Sequence, residues 1–274
     1  MRFAWLYLSS AIATALVTTL SARQVSDFDF LPAHNRFPVF SADPSTPDFS
    51  IQKMFGNEDL IGKLGATIPL AQFLLNNKRL QIDAATSTIS FFQAPGGGLK
   101  VISTDFHFFT SASVEWTPTF SWRFGFGHTS HHLNDNALTR TPALTPTNYS
   151  RDYLAFDCLI SIPSYRAMFY AGINDALQFH VSTNAQESVW ILLGGVPVKV
   201  RILESCDLYA AFNLRFRQEF QFAATQNFQV GLEFASENGR VLRAALDLQT
   251  GKDNRGQFYD KPLDIATIGL YFDL

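Results

Sequence analysis

The chain has 274 residues, of which 47% are hydrophobic, 14% aromatic and only 16% charged, where an ordinary soluble domain carries about 25% charge. A net charge of −3 provides no basic field to hold nucleic acid. Beyond about the first twenty residues no apolar run reaches the roughly 18 that a membrane helix needs, so the hydrophobicity is dispersed, as strand alternation disperses it.

Residues 1–22 read as a cleaved export signal. Arg2 gives a thin positive start, "FAWLYLSSAIATALVTTL" is apolar, and the small pair "SA" precedes Arg23. Residues 23–47 hold four prolines and no sustained period. Proline lacks the donor a sheet ladder needs, so an extended periplasmic segment is expected there.

From 48 to 274 a period of two recurs. Leu208, Ala210, Phe212, Leu214 and Phe216 alternate with Tyr209, Asn213, Arg215 and Arg217. Phe228, Val230, Leu232 and Phe234 alternate with Gln229, Gly231 and Glu233, and Leu242, Ala244, Leu246 and Leu248 with Arg243, Ala245 and Asp247. Each stretch has one oily and one polar face. A soluble sandwich alternates too. Here, however, the strands run about 9 to 14 residues against a usual 5 or 6, and charges of both signs sit mid-strand. The oily faces are rich in Phe, Trp and Tyr, which suit lipid and its interfaces. Only a closed barrel leaves no sheet edge unpaired in hydrocarbon.

The pattern predicts strands over 48–56, 60–73, 78–93, 99–114, 118–132, 150–163, 165–182, 187–199, 205–220, 226–237, 239–251 and 264–274. That is an all-β, transmembrane, antiparallel up-and-down barrel of about 12 strands, an even number with both ends in the periplasm. "NNK", "WTPT", "IPSY" and "ENGR" supply periplasmic turns. "QAPGGGL", 133–149 and "GKDNRGQFYDKP" are the outer loops. The tail "TIGLYFDL", with Gly269, Phe272 and Leu274, fits the closing strand read by barrel-insertion machinery, an expected partner during biogenesis. Cys158 and Cys206 fall on strands three apart, roughly 14 Å of wall at about 4.8 Å per strand. A disulfide needs Cα atoms within about 7 Å, so free thiols are expected.

The stretch "FGFGHTSHHLND" places three of the six histidines within five positions. On a strand rising from Pro118, Phe120, Trp122, Phe124 and Phe126 share the lipid face, and His128, Ser130 and His132 continue it. Arg123, Thr129 and His131 share the lumen face. From Phe120 to His128 is about 26 Å along the strand at 3.3 Å per residue; tilted by about 40°, it rises roughly 20 Å of the ~25 Å apolar band. His128 is therefore expected near the outer-leaflet ester and headgroup level. On the next strand Asp152, Leu154, Phe156, Cys158, Ile160 and Ile162 share the lipid face. Pairing of 130 with 152 would bring carboxylate, imidazole and hydroxyl together on the outside wall.

Such a group can hydrolyse acyl esters. A serine hydroxyl becomes a nucleophile when an imidazole takes its proton, and a carboxylate orients the imidazole. The candidate catalytic residues are Ser130 as nucleophile, His128 as base and Asp152 as orienting acid. Interfacial decoration is the reading these residues favour, since a barrel rim demands polar residues, and ester hydrolysis is the alternative to it. A strand-borne zinc site is disfavoured: His128 and His132 stand about 13 Å apart along the strand, while zinc ligands each lie about 2.1 Å from one ion. No metal site and no cofactor are expected.

"FLPAHNRFPVFSADPSTPDFS", "HTSHHLND", "NYSRD" and "GQFYDKP…IGLYF" together resemble the bacterial outer-membrane family called domain of unknown function 1207, over most of the mature chain. The resemblance implies an exported barrel with no assigned activity. Where that family reads His-x-Ser-Ser-His-Leu-Gly-Asp-Glu, this chain has His131, Asn134 and Asn136 at the second Ser, the Gly and the Glu; the last change removes a carboxylate. The His-x-Ser spacing at His128 and Ser130 also resembles the lipid A 3-O-deacylase barrels.

Arg215, Arg217, Glu219, Glu233, Arg243 and Asp247 are expected in the lumen, either as ion pairs that fill it or as a charged constriction in a narrow pore. Asp253, Arg255 and Asp260 are expected as solvated charges of the last outer loop. The sequence thus predicts a signal peptide (1–22), a periplasmic N-terminal segment (23–47) and an outer-membrane barrel (48–274). Three roles remain open: a structural or partner-binding barrel at the cell surface, an outer-leaflet lipid acyl-ester hydrolase, and a passive pore. Outer-membrane lipid is the expected partner, and oligomeric state is left open.

Overall fold

The computed structural model describes residues 25–94, 98–140, 146–180, 190–236 and 240–273. The expected signal at 1–22 lies outside them. Strand β1 (Val25–Phe30) is followed by β2 (Phe49–Met54), β3 (Leu60–Leu75), β4 (Lys78–Gln93), β5 (Lys100–Thr117) and β6 (Phe120–Leu133). A short helix, α1 (Asp135–Arg140), leads to β7 (Tyr149–Ile162), β8 (Ala167–His180), β9 (Trp190–Leu203) and β10 (Cys206–Arg217). The series ends with β11 (Ala223–Ala235), β12 (Val241–Lys252) and β13 (Pro262–Asp273).

From β2 to β13 each strand pairs antiparallel with the next, and β13 returns to β2 with Phe272 opposite Phe49. The result is a closed twelve-stranded barrel, each strand lying where the alternation places it to within about four residues, the usual boundary error. The β3–β4 turn shows how the chain reverses so tightly. Asn76 and Asn77 both have positive φ, 50° and 60°, which a two-residue hairpin turn requires and asparagine tolerates.

The two faces of the wall are reversed relative to a soluble protein. Leu64, Phe108, Phe124, Phe156, Leu208, Leu246 and Leu270 point outward and are exposed. Arg243 and Asn213, by contrast, are 0% exposed. Such a wall suits hydrocarbon outside and requires hydrogen-bonded partners inside. Arg243 meets Asp273 at 3.1 Å, and Asn213 Nδ2 donates to the Tyr170 hydroxyl at 2.8 Å. Lys199 pairs with Glu233, and Tyr271 with Asp247. The expected lumen charges thus fill the interior with partners, ion pairs for Arg243 and Glu233 and hydrogen bonds from Tyr271 and Gln229 for Asp247.

Residues 23–47, expected as a periplasmic segment, are placed differently from 25 onward. Val25–Phe30 adds a thirteenth strand against the lower half of β3, with Phe30 opposite Ala71. The chain then leaves the wall beside Leu70, whose carbonyl accepts the Leu31 N–H, and rejoins it as β2. Residues 37–48 lie inside the barrel. Phe40 stacks on Tyr170 at 3.7 Å, and the Arg123 guanidinium covers Phe37 and Phe40 at 4.5 and 5.2 Å. Asp43 binds Arg215 at 2.7 Å, and Asp48 lies 3.3 Å from Lys63 and 3.6 Å from Arg243. The physical reason is charge complementarity: the inner wall offers cations, and the segment brings carboxylates to them. Its prolines, unsuited to a ladder, are suited to an irregular plug. Beside it remains a cavity of about 260 Å³ lined by polar groups that include Asp83, Ser87 and Thr129.

The outer mouth is folded over as well. Met54, Phe91, Ile102 and Ala137 form an apolar cluster with Phe258 packed against it. Asp253 and Arg255, expected as solvated loop charges, belong to this cap. Asp253 is 1% exposed, its carboxylate accepts from Arg255 Nη2 at 2.6 Å and its carbonyl from Arg217 Nη2 at 2.9 Å. Arg255 lies 4.3 Å over the Phe91 ring. The loop turns into the mouth because the end of β10 presents a buried guanidinium that needs acceptors. Asp260 remains at the surface, 3.1 Å from Lys261. Cys158 and Cys206 are free thiols, as expected.

Candidate functional site on the outer wall

Strands β6 and β7 carry the site. Along β6 the alternation holds to the end: Phe124 and Phe126 are exposed, His128 and Ser130 half-buried, and Gly125, Gly127, Thr129 and His131 buried. Two glycines serve the inner face. A Cβ on Gly127 would come within 2.2 Å of the Tyr153 ring, and one on Gly125 within 2.5 Å of Phe109. Their absence lets Phe109 and Tyr153 stack at 6.4 Å across the back of β6. The strand that bears the outward polar residues is therefore backed by packed rings.

The register differs from expectation by two residues. Asp152 stands opposite His128, and Ser130 faces Ser150. This shift tightens the group, because opposed residues on one face have Cβ atoms about 4.5–5.5 Å apart. His128 Nδ1 donates to Asp152 Oδ1 at 2.6 Å, with the side chains 43% and 35% exposed. An ionised carboxylate can only accept, so the bond fixes the proton on Nδ1 and leaves Nε2 as the basic nitrogen. Ser130 lies two residues farther out on the same face, about 6.6 Å along the strand. The structure brings His128 and Asp152 into contact. It shows no hydrogen bond from Ser130 to His128, whose ring is held toward β7.

Neighbouring strands complete the surroundings, and the sequence reading did not name these residues as part of the site. On one flank, β5 sets Phe106 opposite Ser130 and Phe108 opposite His128, both exposed. On the other, β8 sets His180 opposite Ser150 and Gln178 opposite Asp152. Parity along β5 would have found Phe106 and Phe108. A bulge in β8 beside Asp152, however, turns the end of that strand over, so parity counted from Phe169 and Ala171 would have put Gln178 and His180 on the lumen face.

The other two clustered histidines have different roles. His131 points inward, buried, with Nδ1 2.8 Å from Asp105 and receiving the Gly256 N–H at 3.2 Å. His132 points outward, its ring edge-on to Phe106 at 5.5 Å. Among the described residues, no group of three or more His, Cys, Asp or Glu side chains is arranged to hold a metal ion.

Fold and faces together define a transmembrane β-barrel of the outer-membrane type, closed, plugged and carrying a His–Asp pair on its lipid face. The chain belongs to the family described as Protein of unknown function (DUF1207), whose model matches residues 9–274. No curated protein matches the sequence. Among solved structures it is similar to the Salmonella typhi outer membrane phospholipase (OMPLA) dimer with bound calcium. The TM-score is 0.51 at 12% identity, covering 87% of this chain and 93% of that one. It is similar also to outer membrane phospholipase A from Escherichia coli, with a TM-score of 0.50 at 10% identity, over 85% and 94% of the two chains. At such identities the likeness is one of fold.

Proposed function

We propose that this protein is a serine esterase of the bacterial outer membrane that hydrolyses acyl esters of outer-leaflet lipid, delivered there by the export signal at its N-terminus. The observation that carries the reading is the 2.6 Å bond between His128 and Asp152 on the lipid-facing wall, with Ser130 on the same face. An apolar side chain suits that environment better than a carboxylate does; a hydrogen-bonded imidazole and carboxylate placed there beside a hydroxyl call for a use. The phospholipases among the similar structures share the architecture, and the reading rests on His128, Ser130 and Asp152 rather than on them.

The chemistry follows from the geometry. Ser130 Oγ attacks the ester carbonyl carbon while its proton passes to His128 Nε2, and Asp152 steadies the imidazolium that forms. Collapse of the tetrahedral intermediate breaks the bond to the alcohol oxygen, which leaves with that proton. Water then attacks the acyl-serine, with His128 again as base, and releases a fatty acid. For this the Ser130 hydroxyl and the imidazole must close on each other when lipid is bound, as catalytic hydrogen bonds commonly tighten on substrate binding.

The test is fatty-acid release by the purified full chain from phosphatidylethanolamine micelles and, separately, from lipopolysaccharide. Release from either by wild type, and from neither by Ser130→Ala, is expected. No release by wild type from both, or equal release by the variant, overturns the reading. The segment 37–48 inside the lumen argues against the passive pore, and wild-type protein in planar bilayers is expected to pass no steady current.

A further inference from the structure

Hydrolysis at Ser130 needs a donor for the oxyanion that develops on the ester carbonyl. Many hydrolases use free backbone N–H groups at a turn. Here residues 128–131 lie within β6, paired with β5 on one side and β7 on the other, so their amides belong to the ladder. The donor has to be a side chain on the lipid face. The polar side chains near Ser130 on that face include His132, Ser150, Gln178 and His180, and Thr104 diagonally across on β5, whose Oγ1 is paired with Ser90 Oγ at 3.3 Å. His132 is turned to β5, edge-on to Phe106. Gln178 Nε2 is bonded to His180 Nε2. Ser150 is left: it stands directly opposite Ser130, is half-buried, and its hydroxyl is bonded to no group among the described residues.

The opposite flank is aromatic. Phe106 and Phe108 on β5 adjoin Ser130 and His128, and Phe126 and Phe124 extend the same oily surface down β6 toward the bilayer centre. Polar donors on one side and rings on the other give a bound ester one sensible orientation.

We propose, on the basis of the hydrolase reading above, that Ser150 donates the hydrogen bond that stabilises the oxyanion, and that the scissile acyl chain lies over Phe106 and Phe108. The substrate is then a long-chain acyl ester bound across β5, β6 and β7. In the tetrahedral step the Ser150 O–H donates to the negatively charged carbonyl oxygen and keeps its proton. The aromatic side holds the chain in ground state and transition state alike.

Steady-state kinetics of the full chain in detergent micelles, with p-nitrophenyl palmitate and p-nitrophenyl butyrate as probes, test this. Ser150→Ala is expected to lower kcat on the order of 10²-fold with KM nearly unchanged, as loss of one oxyanion donor does. Ser150→Thr, which keeps the hydroxyl, restores most of that. Phe106→Ala with Phe108→Ala is expected to raise KM for palmitate roughly 10-fold, an apolar-pocket effect, and to raise it several-fold less for butyrate, whose short chain covers less of the rings. Unchanged kcat in Ser150→Ala, or equal losses in the Ala and Thr variants, overturns the donor role. Equal effects on the two esters overturn the chain assignment. Either result beside an inactive Ser130→Ala leaves the hydrolase reading standing, whereas hydrolysis that survives Ser130→Ala removes both.

Discussion

Two carboxylates on β7, one on each side of the wall, make the same kind of bond for opposite reasons. Asp157 faces the lumen and accepts from Arg123 at 2.8 Å, 3% exposed. The guanidinium is in turn roofed by Phe37 and Phe40. Burial demands that pair: a carboxylate withdrawn from water needs a partner. Asp152 faces outward and binds His128 at 2.6 Å. Nothing in the packing demands this second pair, since Leu154 and Phe156 serve the same face of the same strand. A polar group whose presence structure does not require is the better candidate for chemistry, and comparing the two faces separates it from the many that structure does require.

The sharpest way to break the comparison is Asp152→Asn. If the outer pair orients a base, fatty-acid release is expected to fall on the order of 10³- to 10⁴-fold, as in serine hydrolases that lose their orienting carboxylate. The denaturant midpoint should hardly move, because a half-exposed pair contributes about 0–1 kcal/mol. An equal fall in stability would make the outer pair structural, like the inner one.

Arg123→Ala should do the reverse. It strands the buried Asp157 carboxylate and removes the cation above Phe37 and Phe40, a loss of roughly 3–5 kcal/mol. Urea unfolding followed by heat-modified gel mobility would measure it, and fatty-acid release by the folded fraction should stay within a few-fold of wild type. Phe124→Arg tests the lipid face itself. A cation placed there is expected to destabilise by roughly 2–4 kcal/mol if the position lies near the bilayer midplane, with the loss read in vesicles. A neutral result would mean that this face does not meet hydrocarbon.

Strand positions and faces were legible because each wall residue sees either lipid or a polar interior, and period two records which. Register was not. Alternation is preserved by any even slip, so the side of Asp152 could be read while its partner could not; the shift from Ser130 to His128 is such a slip of two. The plug was hidden for a related reason. A polar lumen and bulk water accept the same residues, so "SADPSTP" reads as a solvated segment whether it hangs free or fills the barrel, and Asp253 reads likewise. A signal did exist in the cations Lys63, Arg215 and Arg243 on inward positions, which outrun the anions of their own strands and find them in Asp43 and Asp48.

The histidine cluster carries the comparison to its smallest effects, because one five-residue stretch samples both faces. Adjacent residues of a strand point opposite ways, so His131 and His132 must part. His131→Ala removes a buried ring between Asp105 and the Gly256 N–H; it should lower stability by roughly 1–3 kcal/mol and loosen the outer cap, with little change in turnover of the folded protein. His132 meets the edge of Phe106 on the outside. His132→Ala should shift stability by less than about 0.5 kcal/mol, as surface substitutions do, and leave kcat within about two-fold. That near-silence is informative. If the outward histidines merely dress the rim, His128→Ala should be as quiet as His132→Ala, for the two share a face and stand four residues apart. If His128 is the base, its loss abolishes hydrolysis while its neighbour's passes unnoticed, and only the bond to Asp152 distinguishes them.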